Sequence, residues 1–160
     1  MSITHVLLGI VVLSTGLFTG LLMTVKFFFE RALKDLSGPE FALVMHRFLH
    51  ITRTHPLNYA MVLISGFVPV AVLVMMRESL GSAAFMLTAA GLLAFWCGSI
   101  FPSTFFAQPL YGVFLSWEPD APPKDWREAR DRYFRLNVIR GLGSALAFVF
   151  FAIAAMIVSL

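Results

Sequence analysis

Apolar residues occupy four long stretches of this chain, at residues 3–27, 57–76, 82–101 and 142–160. None of the four stretches contains Asp, Glu or Arg. About 20 consecutive apolar residues suffice for a helix to cross the hydrocarbon core of a bilayer. Each stretch therefore predicts a transmembrane helix. The expected fold is an all-α, integral membrane four-helix bundle that forms a single domain over residues 1–160.

The helical pattern continues beyond the apolar stretches on one side of the predicted membrane. It first runs as far as "SGPE", residues 37–40, where Ser37 and Glu40 have the spacing of a capping box. A second helix is expected to start there and to run toward Pro56, which kinks or breaks it. A charged helix over residues 126–140 leads into the last stretch without a helix breaker. These extensions predict a helical cap on one end of the bundle.

Two proline residues interrupt the pattern after the third stretch. Pro102 and Pro109 lie in an aromatic-rich segment, residues 101–117, and preclude one regular helix there. This segment is interpreted either as an aromatic belt at the lipid headgroups or as a re-entrant lid over a pocket. Small residues at Gly16 and Gly20 predict a close helix contact in the first stretch.

Composition and charge agree with a membrane protein. Hydrophobic residues make up 59% of the 160 residues and charged residues 13%, against about 25% charged residues in soluble domains. Of the twelve Lys and Arg residues, only Arg77 lies in the short second connection. The positive-inside rule therefore predicts cytoplasmic long connections and external termini, in what we expect to be a bacterial inner membrane.

Charge also bears on the partners. The sequence pI of about 9.4 is attributed to a basic rim at the membrane surface, which excludes nucleic acid as an expected partner. The lipid bilayer is the expected partner of this rim and of the apolar stretches. The sequence leaves the oligomeric state open, with a homo-oligomer among the alternatives.

Polar side chains form two rows at helical spacing in the predicted cap. One row consists of His46, His50 and Thr54, and Asn58 extends it across Pro56. Both rows lie on the same side of the predicted membrane, and polar groups near membrane depth are costly unless they face the bundle interior. The second row consists of Trp126, Arg130, Tyr133, Asn137, Arg140 and Ser144. A single polar pocket is expected, lined by His46, His50, Asn58, Tyr133, Asn137 and Arg140, with Glu30 beside it.

Several roles fit these residues. His46 and His50 form a hydrated interfacial face, act as acid–base groups, or join Glu30 as ligands of zinc, copper or iron. A haem is a further alternative, although His46 and His50 on one helix are badly placed for opposite faces of one haem, so that a bis-His haem would need His55 or a second chain. Asn137 and Arg140 suit the binding of a phenolate, an enolate or a carboxylate, or they join neighbouring helices. The cofactor is therefore left open between none, a transition metal and haem.

Two motifs resemble a known family. The helix start "THPLN", residues 54–58, and "RYFRLNVIRGL", residues 132–142, which follows Trp126, resemble the DUF1772 or anthrone oxygenase-like family of small four-helix membrane proteins. The most specific part is the N-x-x-R pair of Asn137 and Arg140.

The resemblance implies an oxidoreductase that oxygenates an activated carbon of an apolar, anthrone-like aromatic molecule to give a quinone. In this hypothesis His46 or His50 removes a proton, and Asn137 and Arg140 stabilise the oxyanion. The ring system would bind to Asn58, Trp126 and Tyr133. The alternative is a non-enzymatic, haem- or metal-binding accessory subunit of a membrane complex.

Overall fold

The computed structural model describes residues 2–158, which form five helices. Four of the helices are long and apolar enough to cross a membrane, so the chain is an integral membrane protein with four candidate spans. The all-α bundle predicted from the apolar pattern is confirmed, and residues 1, 159 and 160 of the predicted domain lie outside the described residues. The helices are α1 (Ile3–Lys34), α2 (Gly38–Thr54), α3 (Pro56–Met75), α4 (Ala83–Leu115) and α5 (Trp126–Val158).

The four long helices pack in a square. Helix α1 contacts α3 and α5, and α4 contacts the same two helices from the other side. The shorter helix α2 packs against the C-terminal part of α4. Around α2 lies a second apolar core centred on Phe41, whose ring centroid is 5.7 Å from that of Phe114 and 5.5 Å from that of Trp126. The predicted helical cap therefore has a core of its own, separate from that of the spans.

Local sequence signals set the two ends of α2. The Glu40 carboxylate accepts hydrogen bonds from the Ser37 amide at 2.8 Å and from the Ser37 hydroxyl at 2.6 Å, which confirms the capping box. At the other end, Pro56 breaks the helix, because the residue before a proline disfavours helical geometry and His55 has an extended ψ of 122°. The His55 Nδ1 atom then caps α3 by accepting a hydrogen bond from the Leu57 amide at 3.3 Å.

Helix α4 continues through both of its internal prolines, so the segment after residue 101 forms no separate lid. It does so by widening into two π-helical turns, Trp96–Ile100 and Ser103–Ala107. Each turn ends two residues before a proline, Pro102 or Pro109. A proline cannot donate the regular i→i−4 hydrogen bond, and a π turn accommodates one extra residue in the hydrogen-bonding pattern. The prediction that one regular helix is precluded is therefore confirmed.

The backbones of α4 and α5 approach each other closely at a pair of glycines. A Cβ atom added at Gly98 would lie only 2.4 Å from the Cα atom of Gly143, so neither position has room for a side chain. Of the two glycines expected to form a close helix contact, only Gly16 does so. Gly16 faces the ring of Phe148, whereas a Cβ atom at Gly20 would meet nothing within 4 Å.

Candidate functional site

Arg140 is the centre of a polar cluster between α4 and α5. Its Nη1 atom donates hydrogen bonds to the Tyr111 hydroxyl at 2.9 Å and to the Asn137 Oδ1 atom at 3.1 Å. Asn137 and Tyr133 are almost fully buried, with 3% and 2% of their surfaces exposed. The Tyr111 and Tyr133 rings meet edge to face at a centroid distance of 6.1 Å. Two aromatic rings therefore flank the guanidinium–amide pair.

The charge of Arg140 has no acidic partner within residues 2–158. The ion pairs formed there join Lys26 to Glu30 and Arg130 to Asp131. Moreover, the buried Nε atom of Arg140 lacks a hydrogen-bond partner in the same range. Buried donors and charges are costly unless they are satisfied. The cluster therefore favours an anionic or strongly polarised oxygen as its ligand.

Arg140 lines two adjoining cavities of about 100 and 160 Å³. A single water molecule needs only about 10–15 Å³ of such space, so each cavity is several times larger than the site of one water molecule. The larger share of the first cavity wall is apolar or aromatic, as is typical of small-molecule sites. Six residues line both cavities: Phe18, Asn58, Tyr59, Ser103, Gln108 and Arg140.

Hydrogen bonds to the backbone hold the cavity walls in place. The Ser99 hydroxyl donates to the Arg140 carbonyl at 2.9 Å and so fixes α5 against α4. At the junction of α2 and α3, the Asn58 side chain donates to the Thr52 carbonyl at 3.2 Å. These bonds position the walls of the cavities without using the side chains of Arg140 or Tyr133.

Four of the side chains expected in the polar pocket line the first cavity, namely Asn58, Tyr133, Asn137 and Arg140. The histidines do not. The His46 Nε2 atom is hydrogen-bonded to the Phe114 carbonyl at 2.8 Å, where it links α2 to the end of α4, and His50 is exposed. This differs from the predicted pocket, which included both histidines.

The orientation of α2 explains the difference. Met45 and Leu49 are buried and turn the helix toward the core, and Leu49 also lines the first cavity. Successive residues of an α-helix are rotated by about 100°, so His46 and His50 fall outside the face that Met45 and Leu49 form. The apolar residues of α2, rather than its histidines, decide which side faces inward.

Glu30 and Trp126 also lie away from the cavities. Glu30 forms an ion pair with Lys26 at 2.7 Å, and Trp126 packs against Phe41 in the cap core. Over the described part of the chain, no group of three His, Cys, Asp or Glu side chains is placed to hold a metal ion. The structure therefore does not bring His46, His50 and Glu30 together as a ligand set.

Sequence reasoning missed several residues that line the cavities, including Tyr111, Ser103 and Gln108. All three belong to the aromatic segment of α4, in which the prolines hid the continuing helix. Arg53 was missed as well, although a spacing signal was available, because Arg53 lies four residues after Leu49 on α2.

No protein-family model matches the chain, and neither a curated protein nor a solved structure matches it. The likeness to the anthrone oxygenase-like family therefore stays a prediction from the two quoted motifs. The structure itself establishes an all-α protein in which four of the five helices of residues 2–158 are long and apolar.

Proposed function

We propose that this membrane protein binds a flat, apolar aromatic molecule through an anionic oxygen and promotes its oxygenation. The observation that carries the proposal is the guanidinium of Arg140, which faces an aromatic-lined cavity without an acidic partner among the described residues. An apolar aromatic ligand partitions into the bilayer, and four of the five helices that line the cavities are candidate spans. An enolate or phenolate oxygen would supply the charge that Arg140 lacks.

The proposed substrate is an aromatic ketone of the anthrone type, which carries an acidic CH₂ group. Arg140 and Asn137 stabilise the negative oxygen of its enolate, so that the CH₂ group loses a proton more readily. In the proposal, this proton passes to solvent water. His46 and His50 take no part, because neither lines the cavities.

The enolate then reacts with dioxygen, which is the co-reactant. A carbon–oxygen bond forms, protonation gives a hydroperoxide, and loss of water leaves a carbonyl group. In total, one CH₂ group and one dioxygen molecule give one C=O group and one water molecule. The carbon loses four electrons and the two oxygen atoms gain them. Arg140 and Asn137 contribute by holding the anion, and Tyr111 and Tyr133 by contacting the rings.

The test measures oxygen uptake and quinone formation by the purified protein in detergent with anthrone as the probe. We expect wild-type protein to accelerate both at a ratio of one to one, and Arg140→Gln to lose about 100-fold or more of the acceleration. Arg132→Gln removes an exposed arginine of the same helix and is expected to retain wild-type activity.

Equal acceleration by Arg140→Gln and wild-type protein would contradict the proposal, provided that both variants show the same helical circular dichroism. Binding of anthrone without oxygen uptake would contradict the oxygenation step.

A further inference from the structure

We propose that a groove on the outer face of α1 and α5 binds an anionic phospholipid. The groove has a charged part and an apolar part that meet at Lys26 and Val138, which line both. Its apolar part shares Leu22 and Asn137 with the first of the cavities around Arg140, whereas neither Lys26 nor Val138 lines those cavities.

The charged part is an open depression of about 340 Å³ with an excess of positive charge. Ion pairs at 2.7 and 3.1 Å join Lys26 to Glu30 and Arg130 to Asp131. Within residues 2–158, the remaining two cations of the depression, Lys34 and Arg135, have no ion-pair partner. The charged residues that line it are Lys26, Glu30, Lys34, Arg130, Asp131 and Arg135.

A contact between the two helices closes the end of this depression. Lys34 is the last residue of α1, and its carbonyl oxygen accepts a hydrogen bond from the Arg130 Nη1 atom at 3.2 Å. The cations are thereby held on both sides of one groove, and Arg130 also lies over the rings of Trp126 and Phe134, at 5.2 and 5.8 Å from their centroids.

The apolar part is a cavity of about 130 Å³ that continues from the charged part toward the middle of the spans. Phe27 and Leu142 on its two sides are 60% and 63% exposed, as expected of side chains that face lipid. Gly141 leaves room between α1 and α5 in this cavity, because a Cβ atom at this position would lie 3.3 Å from the Met23 side chain.

Charge complementarity and the order of the two parts identify the ligand. A phospholipid carries its negative phosphate at the membrane surface and its acyl chains beneath, and basic residues at this depth attract anionic lipids. A soluble phosphate ion would use the charged part alone. The continuous apolar part therefore favours a phospholipid with an anionic headgroup.

The experiment uses the full-length protein, delipidated in a non-ionic detergent and titrated with dioleoyl phosphatidylglycerol or dioleoyl phosphatidylcholine. Native mass spectrometry counts bound lipids, and thermal unfolding follows the stabilisation. We expect phosphatidylglycerol to bind more tightly than phosphatidylcholine. The double variant Lys34→Gln/Arg135→Gln is expected to lose this preference, with roughly tenfold weaker binding of phosphatidylglycerol.

The matched control is Arg31→Gln/Arg132→Gln, which removes the same charge from exposed positions outside the groove and should keep the preference. An equal loss in both double variants would overturn the proposal in favour of general electrostatic attraction. Equal affinity of the wild-type protein for both lipids would also overturn it. So would displacement of the lipid by inorganic phosphate or dihexanoyl phosphatidylglycerol as readily as by the dioleoyl form, because the apolar part would then contribute nothing.

Discussion

The guanidinium of Arg140 donates to the hydroxyl of Tyr111 at 2.9 Å, so a cation of α5 is held by a phenol near the end of α4. The same Nη1 atom also donates to Asn137, one turn earlier on α5. Because both acceptors are neutral, they orient the positive charge without cancelling it. Orientation of an uncompensated cation is what a binding site for an anion requires.

Removal of the Tyr111 hydroxyl by Tyr111→Phe is expected to destabilise the protein. A hydrogen bond to a charged group contributes about 1.5–3 kcal/mol, so the free energy of unfolding should fall by that amount. Unfolding in detergent measures the change. A double-mutant cycle with Arg140→Gln should show a coupling of at least about 0.5 kcal/mol, and strictly additive effects would mean that the two groups do not interact.

Introduction of a methyl group at Gly98 is expected to force α4 and α5 apart. The added Cβ atom would lie 2.4 Å from the Cα atom of Gly143, and overpacking of this kind costs about 1–3 kcal/mol. Thermal unfolding of Gly98→Ala should show the loss. Gly20→Ala is the matched control, because its Cβ atom meets nothing within 4 Å, and it should leave stability equal or slightly higher. Equal effects of the two substitutions would contradict the close approach.

The two histidines of α2 should respond differently to substitution. His46→Ala removes the hydrogen bond to the Phe114 carbonyl and is expected to lower the free energy of unfolding by about 1 kcal/mol. His50→Ala removes an exposed side chain and should change stability by less than about 0.5 kcal/mol. Chemical unfolding of both variants decides the matter, and a larger loss for His50→Ala would contradict the described orientation of α2.

Glu40 should make the stability of α2 depend on pH. Hydrogen bonds from the Ser37 hydroxyl and then from the Ser37 amide lower the pKa of the Glu40 carboxyl group below its ordinary value of 4.5. Because the pKa is lower in the folded than in the unfolded chain, the carboxylate stabilises the fold at neutral pH. That contribution is lost as the pH falls through the folded pKa.

The measurement compares the unfolding midpoints of wild-type protein and Glu40→Gln between neutral pH and about pH 3. The wild-type advantage should shrink toward the acid end. Glu78→Gln, which removes an exposed carboxylate in the short connection between α3 and α4, is measured alongside as the control. A wild-type advantage that persists undiminished in acid would contradict the role of the carboxylate.

Features that depend on neighbouring residues in the chain were predictable from the sequence. The apolar stretches marked the four spans, the Ser37–Glu40 spacing marked the start of α2, and Pro56 marked its end. Asn137 and Arg140 were found because a polar pair is conspicuous where a helix becomes apolar. Such signals need no knowledge of the packing.

Features that depend on the packing were not predictable in this way. The rotation of α2 that turns Leu49 inward and leaves His50 exposed follows from contacts with other helices. Tyr111 reaches Arg140 only because α4 continues past Pro102. Gly98 and Gly143 are in contact, but nothing in the sequence around either glycine indicates that it contacts the other.

The two π turns of α4 have a geometric consequence for every residue that follows them. Each residue of a helix advances the direction of the side chains by about 100°, so an extra residue in a widened turn resets the angular phase of the remaining helix. A chain shortened by one residue within Ser103–Ala107 would point Tyr111 toward a different neighbour while the hydropathy profile stayed almost unchanged. Insertions and deletions in this stretch therefore change the direction of the side chains that line the cavities rather than the length of a loop.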